Sequence, residues 1–315
     1  FIHSTLINYI VTSTFIKYTY RFDYNKIAIN LMVYSKTNVS KKKIETLINI
    51  ISIMLTIPSH ISIDKLNITL LLTPFKKKLK KTKKHIDPDS VNSGYCYSTK
   101  NTASILIYRL EELEKVLIHE LVHALHIDYC QDISIPFHKL FQIHSSYGYN
   151  MNEAYTEVWT VVILCAIRSY RLDMKKNYML FIKFLRQEQL FSLVQVGKIL
   201  HYFGFKTGDD FIKPFNPKFP KMFSQSTFVF SYYYVKASAL FHISKYLHFI
   251  YNGKNIEEKI DVDYLKKMYL NVIQDRDFLN QINKIIEAYK IQKRIKIKGL
   301  NIILDDTSMR MTLQG

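Results

Sequence analysis

The sequence predicts an α+β protein, with an N-terminal lobe of mixed strands and helices and a C-terminal lobe that is mainly helical. Segments with strand and helix periodicity alternate up to residue 127, whereas helical periodicity dominates from residue 151 onward. The chain of 315 residues is 48% hydrophobic and contains only 8 Gly and 7 Pro. It can therefore bury a sizeable core, and nothing in it is typical of a long disordered protein.

The N-terminal lobe is predicted to span residues 1–127 and to end in a long helix. Its strands are rich in β-branched and aromatic residues, and Ser40 is placed to cap the first helix. The predicted elements are a strand at Lys26–Tyr34, a helix at Ser40–Ile57, strands at Leu66–Thr73 and Ala103–Tyr108, and a helix at Arg109–Ile127.

The C-terminal lobe is predicted to span residues 128–315. Met151–Leu172 contains no Gly or Pro and is expected to form a helix. Lys206–Ser226 contains one Gly and three Pro and is expected to be a loop, and the residues from Arg294 are expected to be strand-like or irregular. Further helices are predicted near 174–203, 230–251, 261–273 and 276–290.

The segment His119-Glu120-Leu121-Val122-His123 reads H-E-x-x-H. Residues four apart lie on one face of a helix, so both imidazoles can reach one ion. Glu120 falls beside that ion, where it can take a proton from a water that the metal activates. The pattern predicts a catalytic zinc site with one Zn²⁺ per chain. The alternative is a surface helix with two incidental histidines.

A catalytic zinc needs a third protein ligand and an open position for water. Glu153 and Glu157 are four residues apart on the predicted helix Met151–Leu172. One of them can bind the metal, while the other can hold a histidine ligand through its second ring nitrogen. The alternative is that this glutamate pair faces water.

Three other histidines compete for the third position. His126 follows His123 by three residues, but on a straight helix it lies roughly 10 Å along the axis from His119, at about 1.5 Å per residue. It can join the same ion only if the helix breaks. His138 and His144 lie in the segment between the two site helices and are more typical of ordinary polar loop residues.

This arrangement resembles the gluzincin group of zinc metallopeptidases, in which a later helix supplies a glutamate ligand to the H-E-x-x-H helix. Asn152, Glu153, Thr156 and Glu157 match the N-E-x-x-[ST]-[DE] pattern of the thermolysin-like members. Glu153 follows His123 by 30 residues, which is longer than in those enzymes. The intervening segment must therefore carry an insertion.

The resemblance implies a zincin-like fold in which His119, His123 and Glu153 bind zinc. It implies that Glu120 is the general base. It also implies that Glu157 holds a metal ligand in position without binding the metal itself. It also implies that the strand before the active helix, Ala103–Tyr108, lies at the sheet edge and pairs with an extended peptide. Related enzymes supply an oxyanion donor from the C-terminal lobe, and the candidates are Tyr232, Tyr233, Tyr234, His201 and His242.

The formal charge of +18 is partly concentrated in the run Lys76–Lys84. The flanking Pro74 and Pro88 predict a solvated loop. The charge favours attraction to a peptide or protein substrate, in particular an acidic one. The run lacks the interleaved aromatics of a single-strand binding surface, so a nucleic acid is the weaker alternative.

The cysteines Cys96, Cys130 and Cys165 are too few for a disulfide framework, which favours a reducing compartment. No apolar run approaches the eighteen or so residues of a membrane span, so we expect a soluble protein, cytoplasmic or virion-associated rather than secreted. The excess of Ile, Lys, Asn and Tyr is typical of AT-rich genomes. The organisation is similar to that of H-E-x-x-H proteins of large DNA viruses.

The sequence therefore predicts a zinc-dependent peptidase. Two alternatives remain open at this point. One is a non-catalytic protein whose core is stabilised by zinc, and the other is a basic protein associated with nucleic acid.

Overall fold

The computed structural model of the chain is mixed α+β, which confirms the predicted fold class. Its strands are β1 Ile16–Tyr24, β2 Ile27–Ser35, β3 Lys65–Leu71, β4 Gly94–Ser98, β5 Thr102–Ile107, β6 Ile143–Ser145, β7 Phe223–Gln225, β8 Ile295–Lys296 and β9 Ile303–Leu304. The described residues are 4–58, 63–80, 84–128, 133–141, 143–145, 149–212, 223–251, 261–291, 295–296, 303–304 and 307–314.

The helices lie mostly after residue 150, as the sequence predicts. They are α1 Ser4–Val11, α2 Lys41–Met54, α3 Pro88–Val91, α4 Leu113–Ala124, α5 Met151–Leu172, α6 Asn177–Phe203, α7 Gly208–Phe211, α8 Lys236–Phe241, α9 Ile243–Tyr251, α10 Val262–Val272 and α11 Arg276–Ile291. A 3₁₀ helix at Ile135–Lys139 and a π-helical turn at Phe230–Val235 complete the set in the described ranges.

The main sheet has five strands in the order β1-β2-β3-β5-β4. The central strands β2, β3 and β5 are parallel, and β1 and β4 are antiparallel additions at the two edges. The parallel strands are the most deeply buried and also the ones that the sequence predicts, because their apolar residues give the clearest pattern. The sequence prediction misses β1, in which no residue is fully buried, and the short β4.

The predicted edge position of Ala103–Tyr108 is wrong. The corresponding strand β5 lies between β3 and β4, and β4 is the edge strand. Ser93-Gly94, which the sequence suggests as part of a connecting loop, leads directly into β4, where Cys96 pairs opposite Ile105. A five-residue antiparallel strand with alternating half-buried residues is too short to stand out in a sequence pattern.

The helices α2 and α4 cover one face of the sheet. Ser40 caps α2 as predicted, because its side chain accepts a hydrogen bond from the Lys43 backbone N–H at 3.3 Å. Buried residues such as Leu47 and Ile51 of α2 join Leu117 and Leu121 of α4 in one hydrophobic cluster with the strands. This packing fixes α4 against the sheet. His119 and His123 lie on another face of α4, which is directed at α5.

A second hydrophobic cluster lies among the later helices, and α5 contributes to both. Its Leu164 and Ile167 join the sheet cluster, whereas Val158 and Val161 join the helical one. The proposed lobes at 1–127 and 128–315 therefore share this helix as a common element. No helix in the described ranges combines the length and apolar composition needed to cross a membrane.

The predicted helix at 230–251 is divided into three parts. The π-helical turn is followed by α8, and α9 begins after His242, whose φ of −104° and ψ of 34° leave helical geometry. The predicted loop at 206–226 contains α7 and β7, and its residues 213–222 lie outside the described ranges.

The prediction of a solvated loop at Lys76–Lys84 is wrong for Lys77 and Leu79, whereas Lys76, Lys78 and Lys80 are exposed. Lys77 and Leu79 are buried, and Lys77 Nζ lies 2.8 Å from Glu112 Oε2. Lys80 forms an ion pair with Asp87. These lysines are held by acidic partners, which the local charge density could not reveal. Residues 81–83 lie outside the described ranges.

Gly197 provides a test of the packing between α6 and α11. A Cβ placed there would approach Ile285 Cβ to 2.9 Å. Alanine normally favours a helix over glycine, but here we expect Gly197→Ala to destabilise the protein by about 1–3 kcal/mol because a β-branched neighbour cannot move away easily. Urea unfolding measures the change. Lys183→Ala, at an exposed position of the same helix, should change stability by no more than about 0.5 kcal/mol.

Candidate metal centre

The H-E-x-x-H helix α4 begins later than the sequence predicts. Glu112 precedes it with a φ of 58°, in the left-handed region, so the predicted start at Arg109 is wrong. This conformation turns the buried Glu112 carboxylate toward Lys77. Within α4, His119 and Glu120 are buried, whereas His123 is partly exposed.

The end of α4 is a Schellman turn. The Ile127 N–H donates to the Val122 carbonyl at 3.0 Å, the His126 N–H donates to the His123 carbonyl at 3.1 Å, and His126 has a φ of 50°. The helix therefore stops at Ala124, and the predicted continuation to Ile127 is wrong. His126 thus lies beyond the helix end and is not among the three residues whose donor atoms meet.

The helix α5 has the bounds that the sequence predicts. The Asn150 side chain caps it by accepting from the Asn152 N–H at 3.1 Å. Glu153 and Glu157 lie one turn apart on the face toward α4. Glu157 is completely buried, so the alternative in which the pair faces water is wrong.

Three donor atoms from α4 and α5 form a nearly equilateral triangle. The Nε2 atoms of His119 and His123 lie 3.2 Å apart, and each lies 3.3 Å from Glu153 Oε2. Ligands about 2.0–2.1 Å from a tetrahedral Zn²⁺ are separated by about 3.3 Å, so the triangle fits this ion. Within the described part of the chain, these three residues are the group of acidic, His and Cys side chains that could hold a metal.

The second nitrogen of each histidine faces a carboxylate. His119 Nδ1 lies 2.8 Å from Glu157 Oε1, which is the position predicted for Glu157. His123 Nδ1 lies 2.6 Å from Asp128 Oδ2, which also accepts from Asn152 Nδ2 at 2.7 Å. Such partners orient the rings and leave the Nε2 lone pairs free for a metal.

Asp128 is a residue of the candidate site that the sequence analysis misses. It follows His123 by five residues, so a continuing helix would carry it away from that ring. The Schellman turn brings it back instead. An aspartate just beyond the end of the helix is the available sequence signal, but the signal is weak because no glycine marks the turn.

The site has strongly shifted proton affinities. Burial alone would raise the pKa of Glu153, but the adjacent His123 and His119 hold it well below its ordinary value. Burial lowers the pKa of His123, but the adjacent Glu153 and Asp128 raise it. The net pKa of His123 is well above its usual range. Burial raises the pKa of Glu120. The neighbouring histidines thus favour the ionised form of Glu153, whereas burial favours the protonated form of Glu120.

The backbone of β4 closes over Glu120. A Cβ on Gly94 would lie 3.1 Å from Glu120 Oε1 and 2.8 Å from the Leu106 carbonyl oxygen. Only glycine therefore lets the edge strand approach the carboxylate this closely.

Among the five candidate oxyanion donors, Tyr232 lies beside the site. Its ring centroid is 6.2 Å from that of His119, and it belongs to the π-helical turn, a rare geometry that is frequent at functional sites. Burial, together with Glu153 and Glu120, raises the pKa of Tyr232 well above its usual range. Its hydroxyl therefore stays protonated, and it is hydrogen-bonded to Thr227.

The other four candidates have structural partners elsewhere. The Tyr233 hydroxyl donates to the Met309 carbonyl at 2.6 Å, and the Tyr234 hydroxyl donates to the Ile273 carbonyl at 3.1 Å. The ring of His201 stacks on Tyr289, and His242 Nε2 lies 3.0 Å from Asp275 Oδ1. Sequence alone could not separate these residues, because all five lie in helical segments of similar composition.

Several other predicted residues lie apart from the donor triangle or outside the description. Cys96 and Cys165 have free thiols, and burial raises the pKa of Cys96 to about 11. Cys130 and the side chains of His138 and His144 lie outside the described part of the structure.

Comparisons of the chain with protein-family models, with curated proteins and with solved structures found no match. The choice of candidate metal ligands therefore depends on the distances between the three donor atoms. It also depends on the carboxylates that face the Nδ1 atoms of the two histidines.

Asp128→Ala tests whether Asp128 orients the His123 ring through its contact with Nδ1. Without the carboxylate, the imidazole loses the partner that orients it, so we expect zinc affinity to fall by about 10–100-fold. Competition with a chromophoric chelator measures this affinity. Asp277→Ala, at an exposed position of α11, is the control and should leave affinity unchanged. Equal affinities for both variants would contradict the assigned role.

Proposed function

We propose that the protein is a zinc-dependent peptidase of the gluzincin type, holding one Zn²⁺ through His119, His123 and Glu153. The observation that carries the proposal is the triangle of donor atoms, with edges of 3.2, 3.3 and 3.3 Å. A buried carboxylate on the adjacent helical residue, Glu120, distinguishes this arrangement from a purely structural zinc site.

The bound ion would lower the pKa of a water toward neutrality and polarise the carbonyl of the substrate. Glu120 takes the proton of the attacking water and passes it to the leaving amine. The upward direction of its pKa suits a group that must both accept and return a proton. Glu157 and Asp128 keep the two imidazoles oriented during these steps.

Tyr232 is the proposed donor to the oxyanion that forms on the substrate carbonyl. It is adjacent to His119, and its hydroxyl stays protonated. A donor that is already placed where negative charge develops stabilises the transition state without reorganisation.

The zincin-like fold belongs to the same proposal. It is supported by the mixed sheet, by α4 packed against it and by an antiparallel edge strand at the site. An extended peptide can add to β4, whose Gly94 already approaches Glu120. The role first assigned to Ala103–Tyr108 therefore passes to Gly94–Ser98.

The net charge of +18 supports an acidic peptide or protein substrate. Scarce cysteines, with free thiols at Cys96 and Cys165, support a reducing compartment, in the cytoplasm or a virion.

Glu120→Gln tests the assigned base. The amide cannot accept the proton, so we expect cleavage of an unbiased peptide library to fall by about 10²–10⁴-fold while zinc stays bound. Metal analysis of the same preparation measures occupancy. Glu114→Gln is the matched control, because Glu114 lies on the same helix and pairs with Arg171 at 2.9 Å.

A Glu120→Gln variant as active as the parent would refute the base. A parent that binds zinc but cuts no peptide would instead support the zinc-stabilised structural protein. A parent that shows steep salt-dependent binding of DNA or RNA and no cleavage would support the nucleic-acid alternative.

Tyr232→Phe tests the oxyanion donor. Loss of one such donor is expected to lower kcat by about 10²–10³-fold, with a smaller change in KM. Tyr234→Phe removes a hydroxyl from the same π-helical turn but on the side that contacts Ile273, so it should retain activity. If the two variants behave alike, Tyr232 has no special role.

A further inference from the structure

The segment Thr307–Gln314 runs through the protein interior although it forms no helix and only an isolated β-bridge. Met309, Met311 and Thr312 are buried. Lys77 and Leu79 flank its start, since the Leu79 N–H donates to the Thr307 carbonyl at 2.7 Å and the Met309 N–H donates to the Lys77 carbonyl at 3.0 Å.

Side chains of the surrounding helices bind the backbone carbonyls of four consecutive residues of this segment. Each carbonyl accepts from a different side chain, whereas most hydrogen bonds within proteins join backbone groups to each other. The pairs are Lys198 with Ser308, Tyr233 with Met309 at 2.6 Å, Gln195 with Arg310 at 2.6 Å, and Lys236 with Met311 at 2.7 Å.

Two buried carboxylates bind the backbone N–H groups that follow. Glu112 Oε1 accepts from Met311 and Thr312 at 2.8 and 2.7 Å. Glu188 Oε1 accepts from Leu313 and Gln314 at 2.9 and 3.0 Å. The backbone of this segment bends at Met311 and Leu313. Recognition of such a backbone by the fixed side chains that line its channel is the chemistry of a peptide-binding site.

The segment is also connected to the metal centre. Lys236 Nζ, which donates to the Met311 carbonyl, lies 3.9 Å from Glu157 Oε2. Lys115 Nζ lies 3.3 Å from Met311 Sδ and forms an ion pair with Glu157. Glu157 in turn lies 2.8 Å from His119 Nδ1. The Glu157 carboxylate thus links residues 307–314 to His119, a proposed zinc ligand.

We propose that this channel is a second peptide-binding site, filled in cis by residues 307–314, and that its occupancy positions His119 through Lys115, Lys236 and Glu157. Its ligand class is a short peptide with a bent backbone and two buried thioether side chains two residues apart. Removing the segment would take hydrogen-bond partners from the buried charges of Glu112, Glu188 and Lys236, so the empty channel would not keep its shape. The positioning part rests on the proposed metal site, whereas the binding part does not.

The first experiment tests binding. A recognition sequence for a specific protease is inserted within residues 297–302 of the full chain, which lie outside the described ranges, and the purified protein is cut there. We expect the released fragment to co-elute with the body in size-exclusion chromatography. We also expect it to exchange slowly with a fluorescent synthetic peptide of residues 305–315. A fragment that separates at once, with no capture of the peptide, overturns the proposed site.

The second experiment tests positioning in the full chain with Co²⁺ as the probe. Lys236→Met removes a cation that touches both Met311 and Glu157, and Tyr233→Phe removes a neighbouring bond to Met309. Both variants should lower the melting temperature. Only Lys236→Met should shift the cobalt absorption bands and weaken zinc binding, by about 10–100-fold. Equal effects of the two variants on metal binding overturn the positioning role.

A milder variant keeps the test decisive if Lys236→Met does not fold. Met311→Leu removes only the sulfur beside Lys115, and we expect it to shift the cobalt bands by less than Lys236→Met would. An unchanged spectrum overturns the coupling. A parent chain that binds neither Co²⁺ nor Zn²⁺ defeats the proposed function itself, and the fragment-exchange assay still decides whether the channel binds a peptide.

Discussion

The buried carboxylate of Glu157 is the point on which the rest of the structure depends. It has no exposed surface, yet it lies 2.8 Å from His119 Nδ1 and within reach of Lys115 and Lys236. Burying an ion without partners is costly, so these groups must be brought together when the protein folds. Burial opposes ionisation of Glu157, whereas the two lysines and His119 favour it. The net pKa of Glu157 is well below its ordinary value.

Three parts of the chain meet at this carboxylate. The helix α4 supplies His119 and Lys115, α5 supplies the carboxylate itself, and Lys236 leads from the π-helical turn into α8 and on to the captured segment 307–314. The hydrophobic clusters on either side of α5 provide the stabilising burial, while the ion pairs specify one relative arrangement of the helices. The proposed active site therefore lies beside α5, the helix that the two hydrophobic clusters share.

Local geometry explains which parts of the site could be predicted. The spacing of His119, Glu120 and His123, and that of Glu153 and Glu157, depends only on helical periodicity. The structure brings donor atoms of His119, His123 and Glu153 together. Asp128 depends on a left-handed turn at His126, where no glycine signals it. Tyr232 could not be separated from Tyr233 and Tyr234, because neighbouring positions of a π-helical turn point to different partners that sequence does not specify.

The sequence by itself determined the α+β class, the positions of the three central strands, the bounds of α5 and the pairing of His119 with His123 on one helix face. Each of these follows from periodicity over a few turns or a few alternating residues. Only the tertiary structure decided that β4 is the edge strand, that Lys77 is buried and that residues 307–314 fill a channel. Those features depend on contacts between residues 35 to 200 positions apart, for which a local pattern carries no information.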